Sequence, residues 1–124
     1  MQPQDLCPCT SGKTYKSCCQ PLHLGGAATT PEALMRSRYS AYVLRLEAYL
    51  RHSWHPTTCP AQLNLETSPK WARLKVISSQ QQGDQGQVHF KAYYRSSQGM
   101  QNMEEVSEFV FFEERWVYLT GQVK

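Results

Sequence analysis

The second half of the chain constrains the fold most, because its apolar residues recur at every second position, as they do in half-buried strands. In WARLKVIS one side carries Ala72, Leu74 and Val76, and the other carries Trp71, Arg73 and Lys75. QVHFKAYYR repeats the pattern, with one side formed by Val88, Phe90, Ala92 and Tyr94. The turn-rich stretches QQQGDQG and SSQGMQN follow these two segments, and MEEVSEFVFFEE and RWVYLTG supply two further strands. Strands on such short connections predict an antiparallel sheet of about four strands.

One amphipathic helix precedes the sheet. Thr30 is a good cap, Pro31 suits the first helical position, and the pattern predicts a helix from there to about Ser53. Its apolar stripe is formed by Met35, Tyr39, Tyr42, Leu46 and Tyr49. Residues 56–70 are predicted to be a loop with one helical turn. A helix covering one face of an antiparallel sheet is an α+β fold.

The totals allow one domain and a short appendage. The chain has 124 residues, of which 40% are hydrophobic and 19% charged, which is typical of globular proteins. No stretch reaches the roughly 18 apolar residues of a spanning helix, and no secretory signal is visible, so we expect a cytoplasmic protein without a membrane partner. The net charge of +3 is scattered and gives weak attraction to polyanions.

The N-terminal segment, residues 1–26, has too few apolar side chains to order itself by burial. It contains CPCTSGKTYKSCC, with four of the five cysteines, and their two close pairs fit a tetrahedral metal site. The predicted ligands are Cys7, Cys9, Cys18 and Cys19. Thiolates favour zinc or an iron–sulfur cluster, and the compact loop favours zinc. The alternative is a pair of disulfides or four thiols without a role. A reducing compartment and the strain of joining adjacent cysteines disfavour the disulfides.

Other residues near the cluster have competing interpretations. His23 could replace one cysteine as a ligand, although four sulfurs already suffice. Lys13 and Lys16 could bind phosphate, but they also neutralise a site whose formal charge would be minus two. Cys59 lies alone in the TTCP loop and is interpreted as a bystander thiol.

The cysteine segment resembles the SEC-C motif, a zinc-binding element found at the C-terminus of the SecA preprotein translocase ATPase and in many otherwise unrelated bacterial proteins. The matching residues are Cys7, Pro8, Cys9, Ser11, Gly12, Lys13, Tyr15, Lys16, Cys18 and Cys19. Thr10 departs from the motif, where glycine is usual, and Cys19 stands where the translocase has histidine. A partner surface known for the translocase therefore need not carry over.

The resemblance extends along the chain. LMRSRYSAYVLRLEAYL at residues 34–50, WHP at residues 54–56 and the terminal RWVYLTG are similar to the YchJ-like family, in which a SEC-C motif precedes a nuclear transport factor 2-like domain. This implies a knuckle at residues 1–26 and, at residues 27–124, a cone in which helix packs on a bent antiparallel sheet. Members often end in a second SEC-C copy, and this sequence reaches Lys124 without one. The family supplies no activity to transfer.

Cones of this type usually hold a pocket between helix and sheet. The candidate pocket residues are Arg36, Tyr39, His52, Trp54, His55 and Tyr93. For Trp54 and His55 the favoured interpretation is that they close the core and fix the turn at Pro56, and the pocket is the alternative. We expect Arg36 and Arg38 to form ion pairs with the strand glutamates, which are Glu104, Glu105 and Glu108. No Ser-His-Asp or paired-carboxylate spacing is evident, so the sequence favours a protein that is not an enzyme.

Three functions follow from these features. The favoured one is a zinc-binding adaptor whose knuckle contacts a protein or ribosomal partner. A small enzyme or ligand-binding protein using the cone cavity is the first alternative, and an RNA-binding module is the second. A homodimer formed through the sheets is also expected. Metal removal should loosen residues 1–26 and leave the helix and sheet standing, because zinc and apolar burial are separate sources of stability.

Overall fold

A computed structural model describes residues 2–124. Two 3-10 turns, Tyr15–Ser17 and Leu65–Thr67, accompany three helices and four strands. The helices are α1 (Gln20–His23), α2 (Pro31–Leu44) and α3 (Glu47–His52). The strands are β1 (Lys70–Gln82), β2 (Gln85–Ser96), β3 (Gly99–Phe112) and β4 (Arg115–Val123). No helix within residues 2–124 is long and apolar enough to cross a membrane.

The four strands form one antiparallel sheet in the order β1-β2-β3-β4, which confirms the predicted α+β class. Helix α2 packs across one face, where Leu34, Met35 and Tyr39 are buried against side chains from the sheet. The strand residues in this core are Leu74, Val88, Phe90, Ala92, Phe109 and Trp116. The alternating apolar residues that predicted β2, Val88, Phe90 and Ala92, are therefore the residues that the strand buries.

Strand β1 departs from strict alternation at Ala72. The register passes from Trp71 opposite Tyr94 to Arg73 opposite Tyr93, which leaves Ala72 without a partner as a bulge. Trp71 consequently lies on the same face as Leu74 and packs against Tyr39 with ring centroids 6.2 Å apart. The prediction that Trp71 faces away from Leu74 is wrong, because one extra residue inverts the sides that follow it.

The predicted single helix is divided at Arg45. This residue has a φ of 58°, and the N–H of Leu46 donates to the carbonyl of Ala41 at 2.8 Å. These features form a Schellman cap, which commonly uses glycine. Leu46 then packs with Leu50 in a small second core, and α3 continues to His52. The prediction of a continuous helix to Ser53 is wrong because the left-handed cap residue is Arg45, whereas glycine usually marks this position in a sequence.

The chain leaving α3 pairs with the edge of β4. The N–H of Tyr118 donates to the carbonyl of Ser53, and the N–H of His55 donates to the carbonyl of Tyr118, both at 2.8 Å. Trp54 lies between these bonds as a parallel bridge to Tyr118. This pairing brings the exit of α3 to the same side of the sheet as α2.

Candidate metal centre

Two structured segments bring the four cysteines together. The first is a tight loop in which the N–H of Cys7 donates to the carbonyl of Lys13 at 2.8 Å and the N–H of Thr10 donates to the carbonyl of Cys7 at 3.1 Å. Gly12, with a φ of 91°, provides the left-handed conformation that reverses this loop. In the second segment, the 3-10 turn Tyr15–Ser17 leads into α1 and carries Cys18 and Cys19 back to the loop.

The sulfur positions fit a tetrahedral zinc site. All four Sγ atoms lie within 4.8 Å of one another, with 3.5 Å between Cys9 and Cys18 and 3.9 Å between Cys18 and Cys19. Four ligands at zinc–sulfur distances of about 2.3 Å would be separated by about 3.8 Å. Cys7, Cys9 and Cys19 are buried and Cys18 is partly exposed. The donor set and its spacing therefore suit a closed, structural site.

Hydroxyl groups contact three of the sulfurs. The Oγ of Ser40, in α2, donates to the Sγ of Cys19 at 3.4 Å and lies 3.5 Å from the Sγ of Cys7. On the other side, Ser11 Oγ lies 3.2 Å from Cys18 Sγ. Hydrogen bonds to ligand atoms orient a metal site and stabilise charged sulfur. The centre thus has a supporting contact from the helix of the main domain.

The sulfurs also interact with one another. Hydrogen bonds with Cys19 and Cys7 lower the pKa of Cys9, whereas burial raises the pKa of Cys18. Four sulfurs packed into one small space cannot all ionise easily, because neighbouring negative charges repel one another. One thiol, Cys9, therefore ionises readily, whereas Cys18 and Cys19 resist ionisation. A divalent cation would favour the thiolate at all four.

Two further contacts fix the knuckle to the main domain. Arg36 donates from Nη1 to the carbonyl of Cys9 at 3.1 Å. Thr10 Oγ1 lies 2.9 Å from the carbonyl oxygen of Leu74 and accepts the Leu74 N–H at 3.2 Å. Thr10, which departs from the usual glycine of the motif, therefore joins the knuckle to the outer edge of β1.

His23 lies outside the sulfur cluster. Its Nε2 lies 2.8 Å from the carbonyl of Ser37, and its Nδ1 lies 2.6 Å from the hydroxyl of Tyr15. Since the carbonyl can only accept, Nε2 carries the proton and Nδ1 accepts from Tyr15. Both ring nitrogens are thereby used, and burial lowers the pKa of His23. The histidine connects the knuckle to α2 rather than replacing a cysteine.

The predicted arginine ion pairs are not formed. Arg36 pairs with Glu32, one turn earlier in α2, at 3.1 Å, because it faces the knuckle and not the strand glutamates. Arg38 is buried, and its Nη1 donates to the carbonyl of Leu50 at 3.1 Å and to Ser53 Oγ at 2.7 Å. Among the strand glutamates, Glu104 pairs with His89.

The candidate pocket residues separate into two groups. Tyr39 and Trp54 line a cavity between α2 and the sheet. The others lie elsewhere: Arg36 beside the knuckle, His52 exposed at the end of α3, His55 against Phe112, and Tyr93 beneath Arg73. The sequence reasoning missed Ser40 as a sulfur partner, and for Arg38 it favoured an ion pair over a place in the cavity. The helical positions of these two residues gave no indication of which neighbour each would face.

The fold and this cluster define a class, in which a SEC-C cysteine knuckle is attached to a nuclear transport factor 2-like domain. The SEC-C motif model matches residues 5–21, and the model described as "YchJ, middle NTF2-like domain" matches residues 30–121. The chain therefore belongs to the YchJ family, as the sequence resemblance indicated. Its curated relatives carry the name UPF0225.

Relatives and solved structures agree with this assignment. A UPF0225 protein from Deinococcus radiodurans is 48% identical over 115 residues, covering 91% of this chain and 85% of the relative. The solution structure of a SEC-C motif containing protein from Rhodopseudomonas palustris has a TM-score of 0.83 at 34% identity, covering 94% of this chain and 96% of the other. The crystal structure of a SEC-C motif containing protein from Psychrobacter arcticus also has a TM-score of 0.83, at 29% identity, covering 98% and 84%.

Proposed function

We propose that this protein is a zinc-binding adaptor of the bacterial cytoplasm, without enzymatic activity, whose knuckle contacts a protein or ribosome-associated partner. The convergence of four Sγ atoms within 4.8 Å carries this proposal. Zinc would be held by Cys7, Cys9, Cys18 and Cys19. A site with four thiolate ligands leaves no position for a substrate, so the ion would supply a structural cross-link.

The positions of the histidines support a binding role. A general base must reach a substrate within a cavity. His52 is exposed, and the Nδ1 of His55 accepts from the hydroxyl and backbone N–H of Thr57. His89 pairs with Glu104. None of these three histidines lines the cavity between α2 and the sheet.

The exposed surface of the knuckle supports partner binding. Leu6 and Leu24 are 68% and 79% exposed, which is unusual for large apolar side chains. Lys13 and Lys16 are exposed on the same small unit. A segment that exposes both apolar side chains and cations suits an acidic partner surface that also offers an apolar contact.

The zinc proposal is tested by elemental analysis of protein purified without a metal-binding tag. We expect about one equivalent of zinc in the parent protein and a large loss in Cys7→Ser and Cys18→Ser. Cys59→Ser is the control, because Cys59 lies outside the cluster. Less than about half an equivalent in the parent protein would contradict a resident zinc ion.

The partner proposal is tested by charge reversal. Lys13→Glu with Lys16→Glu should release the partner captured from bacterial lysate, whereas Lys70→Glu with Lys75→Glu, which also reverses two exposed lysines, should retain it. Equal retention by both double variants would overturn the knuckle as the contact surface. Loss of the partner after nuclease treatment, with binding that weakens steeply as salt rises, would favour the RNA-binding alternative.

A further inference from the structure

A cavity of about 240 Å³ lies between α2 and the inner face of the sheet. It is smaller than the roughly 300 to 1,000 Å³ of pockets that hold drug-sized ligands, so its occupant would be a small molecule. Its walls are mostly apolar and aromatic, with Tyr39, Trp71, Phe90 and Met103 among them. Two charged side chains, Arg38 and Glu105, interrupt this lining.

Arg38 is a buried cation without an anionic partner. Only 3% of the residue is exposed, and its guanidinium lies between two rings, 4.5 Å from the Trp54 centroid and 4.6 Å from the Tyr118 centroid. Its Nη1 donates to the Leu50 carbonyl and to Ser53 Oγ, and the Tyr42 hydroxyl also contacts the guanidinium. Within residues 2–124 no carboxylate lies within 4.0 Å of it. Burial lowers the pKa of Arg38, yet a guanidinium stays charged. Glu105 lines the same cavity and attracts this charge without a direct contact, and a buried charge that lacks a direct anionic partner is costly, so this position favours an anion.

Two more donors on the cavity wall lack acceptors. The Tyr39 hydroxyl and the Trp54 indole N–H are buried, and neither has a hydrogen-bond partner within residues 2–124. Burial raises the pKa of Tyr39, so its hydroxyl remains a donor at neutral pH. Buried donors usually find partners in native structures. These two unsatisfied donors therefore require an acceptor in the cavity that the Arg38 guanidinium also lines.

Glu105 limits which anion fits. Its carboxylate accepts from the hydroxyls of Ser107 and Tyr118 on the sheet side of the cavity. The carboxylate lies over Gly121, and a Cβ at that position would overlap it. Glycine at position 121 therefore leaves the space that the Glu105 carboxylate occupies. Because Glu105 already places one negative charge in the same cavity as the single guanidinium, a ligand with two negative charges would be repelled more strongly than a ligand with one.

We propose that this cavity binds a small monocarboxylate with an apolar or aromatic body. The carboxylate pairs with the free N–H groups of Arg38, and the apolar body lies among Trp71, Phe90 and Met103. Arginine suits this role because its planar fork matches a carboxylate. A dianion such as a phosphate monoester is disfavoured by the single cation and the nearby Glu105.

The test is a ligand series followed by amide chemical shifts of the full-length, zinc-loaded protein. Benzoate is the probe, benzyl alcohol is the neutral analogue of similar shape, and phthalate is the dianion. We expect benzoate to shift the amides of cavity residues and to saturate by about 10 mM. Benzyl alcohol and phthalate should each bind about tenfold more weakly.

Variants then assign the site. Arg38→Met should weaken benzoate binding by about tenfold or more, and Ala92→Val, which narrows the cavity without touching Arg38, should weaken it as well. Arg73→Gln is the matched control, because Arg73 is exposed and packs on Tyr93 away from the cavity. If Arg38→Met does not fold, the ligand series and Ala92→Val still decide the question.

Each outcome is decisive. Stronger binding of benzoate than of its neutral and dianionic analogues, with shifts at the cavity and loss in Ala92→Val, supports the proposal. Binding of benzyl alcohol equal to that of benzoate would overturn the role of Arg38. Shifts confined to another surface, or no saturation by about 10 mM, would overturn the site itself.

Discussion

The knuckle and the sheet domain are ordered by different means, yet they share one core. In the sheet domain, Val88, Phe90 and Phe109 are almost completely buried, as apolar residues of a core should be. In the knuckle, Leu6 and Leu24 are exposed, and the buried groups are three cysteines and Tyr15. Those sulfurs pack in the same cluster as Leu34 and Tyr39 of the main domain. The cysteine cluster therefore forms part of the core against which α2 packs, although it contributes little apolar surface of its own.

This comparison changes the expected effect of metal removal. Chelation, or Cys9→Ser, should destabilise α2 together with the knuckle, because Ser37, Ser40 and Arg36 all contact it. Zinc contributes roughly 10 to 16 kcal/mol in small finger peptides, and part of that should appear here as a fall in Tm of more than about 10 °C. Thermal unfolding followed by circular dichroism, with and without chelator, measures it.

The control for this experiment is Cys59→Ser, which should leave the Tm unchanged. Amide exchange of α2 distinguishes the two possible results. If only the knuckle loses protection from amide exchange while α2 and the sheet keep theirs, the two regions unfold independently. The shared core seen in the structure would then contribute no measurable stability to α2.

A smaller effect is expected from Ser40→Ala. Removing the hydroxyl that contacts Cys7 and Cys19 should weaken zinc affinity by about 10-fold to 100-fold, as loss of such supporting contacts commonly does. Competition with a chromophoric chelator measures this affinity. Ser37→Ala is the matched control, because Ser37 is equally buried in α2 but its hydroxyl contacts Leu34 and Tyr49 and no sulfur. Equal zinc affinity in the two variants would show that Ser40 acts only through packing.

The sequence predicted the features that depend on local pattern. The strands follow from alternation, and the grouping of the four cysteines follows from their spacing, because both are properties of neighbouring residues. The bulge at Ala72 and the left-handed Arg45 could not be predicted, since neither uses the glycine that usually marks such geometry. The contact of Ser40 with sulfur depends on how the knuckle lies against α2, which is a tertiary property. The same is true of Arg38, whose two flanking rings come from residues 16 and 80 positions later.

The connection through His23 should respond to pH. Burial lowers its pKa below the ordinary value of 6.5, so the unfolded chain takes up the proton at a higher pH than the folded protein does. Stability is therefore fully present above pH 6.5 and declines as pH falls below it. His23→Gln should flatten this decline. Urea unfolding at pH 7.5 and 5.5 measures it in both proteins, and His52→Gln, which changes an exposed histidine, is the control. Parallel declines in all three would show that His23 does not link the regions in this way.

The smallest expected effect concerns Thr10, where two opposing terms nearly cancel. Its φ of 60° is strained for a β-branched residue by about 1 kcal/mol, and its bonds to the Leu74 backbone return a similar amount. Thr10→Gly removes both terms and should change stability little. Thr10→Ala keeps the strain, loses the hydrogen bonds and should cost about 1 kcal/mol more than Thr10→Gly.

Hydrogen exchange of the Leu74 amide measures the contact with Thr10 directly. It should quicken in both variants and stay slow in Thr10→Ser, which retains the hydroxyl. A Leu74 amide still protected in Thr10→Ala would mean that the knuckle is held by α2 alone, and that the edge of β1 takes no part in joining the two regions.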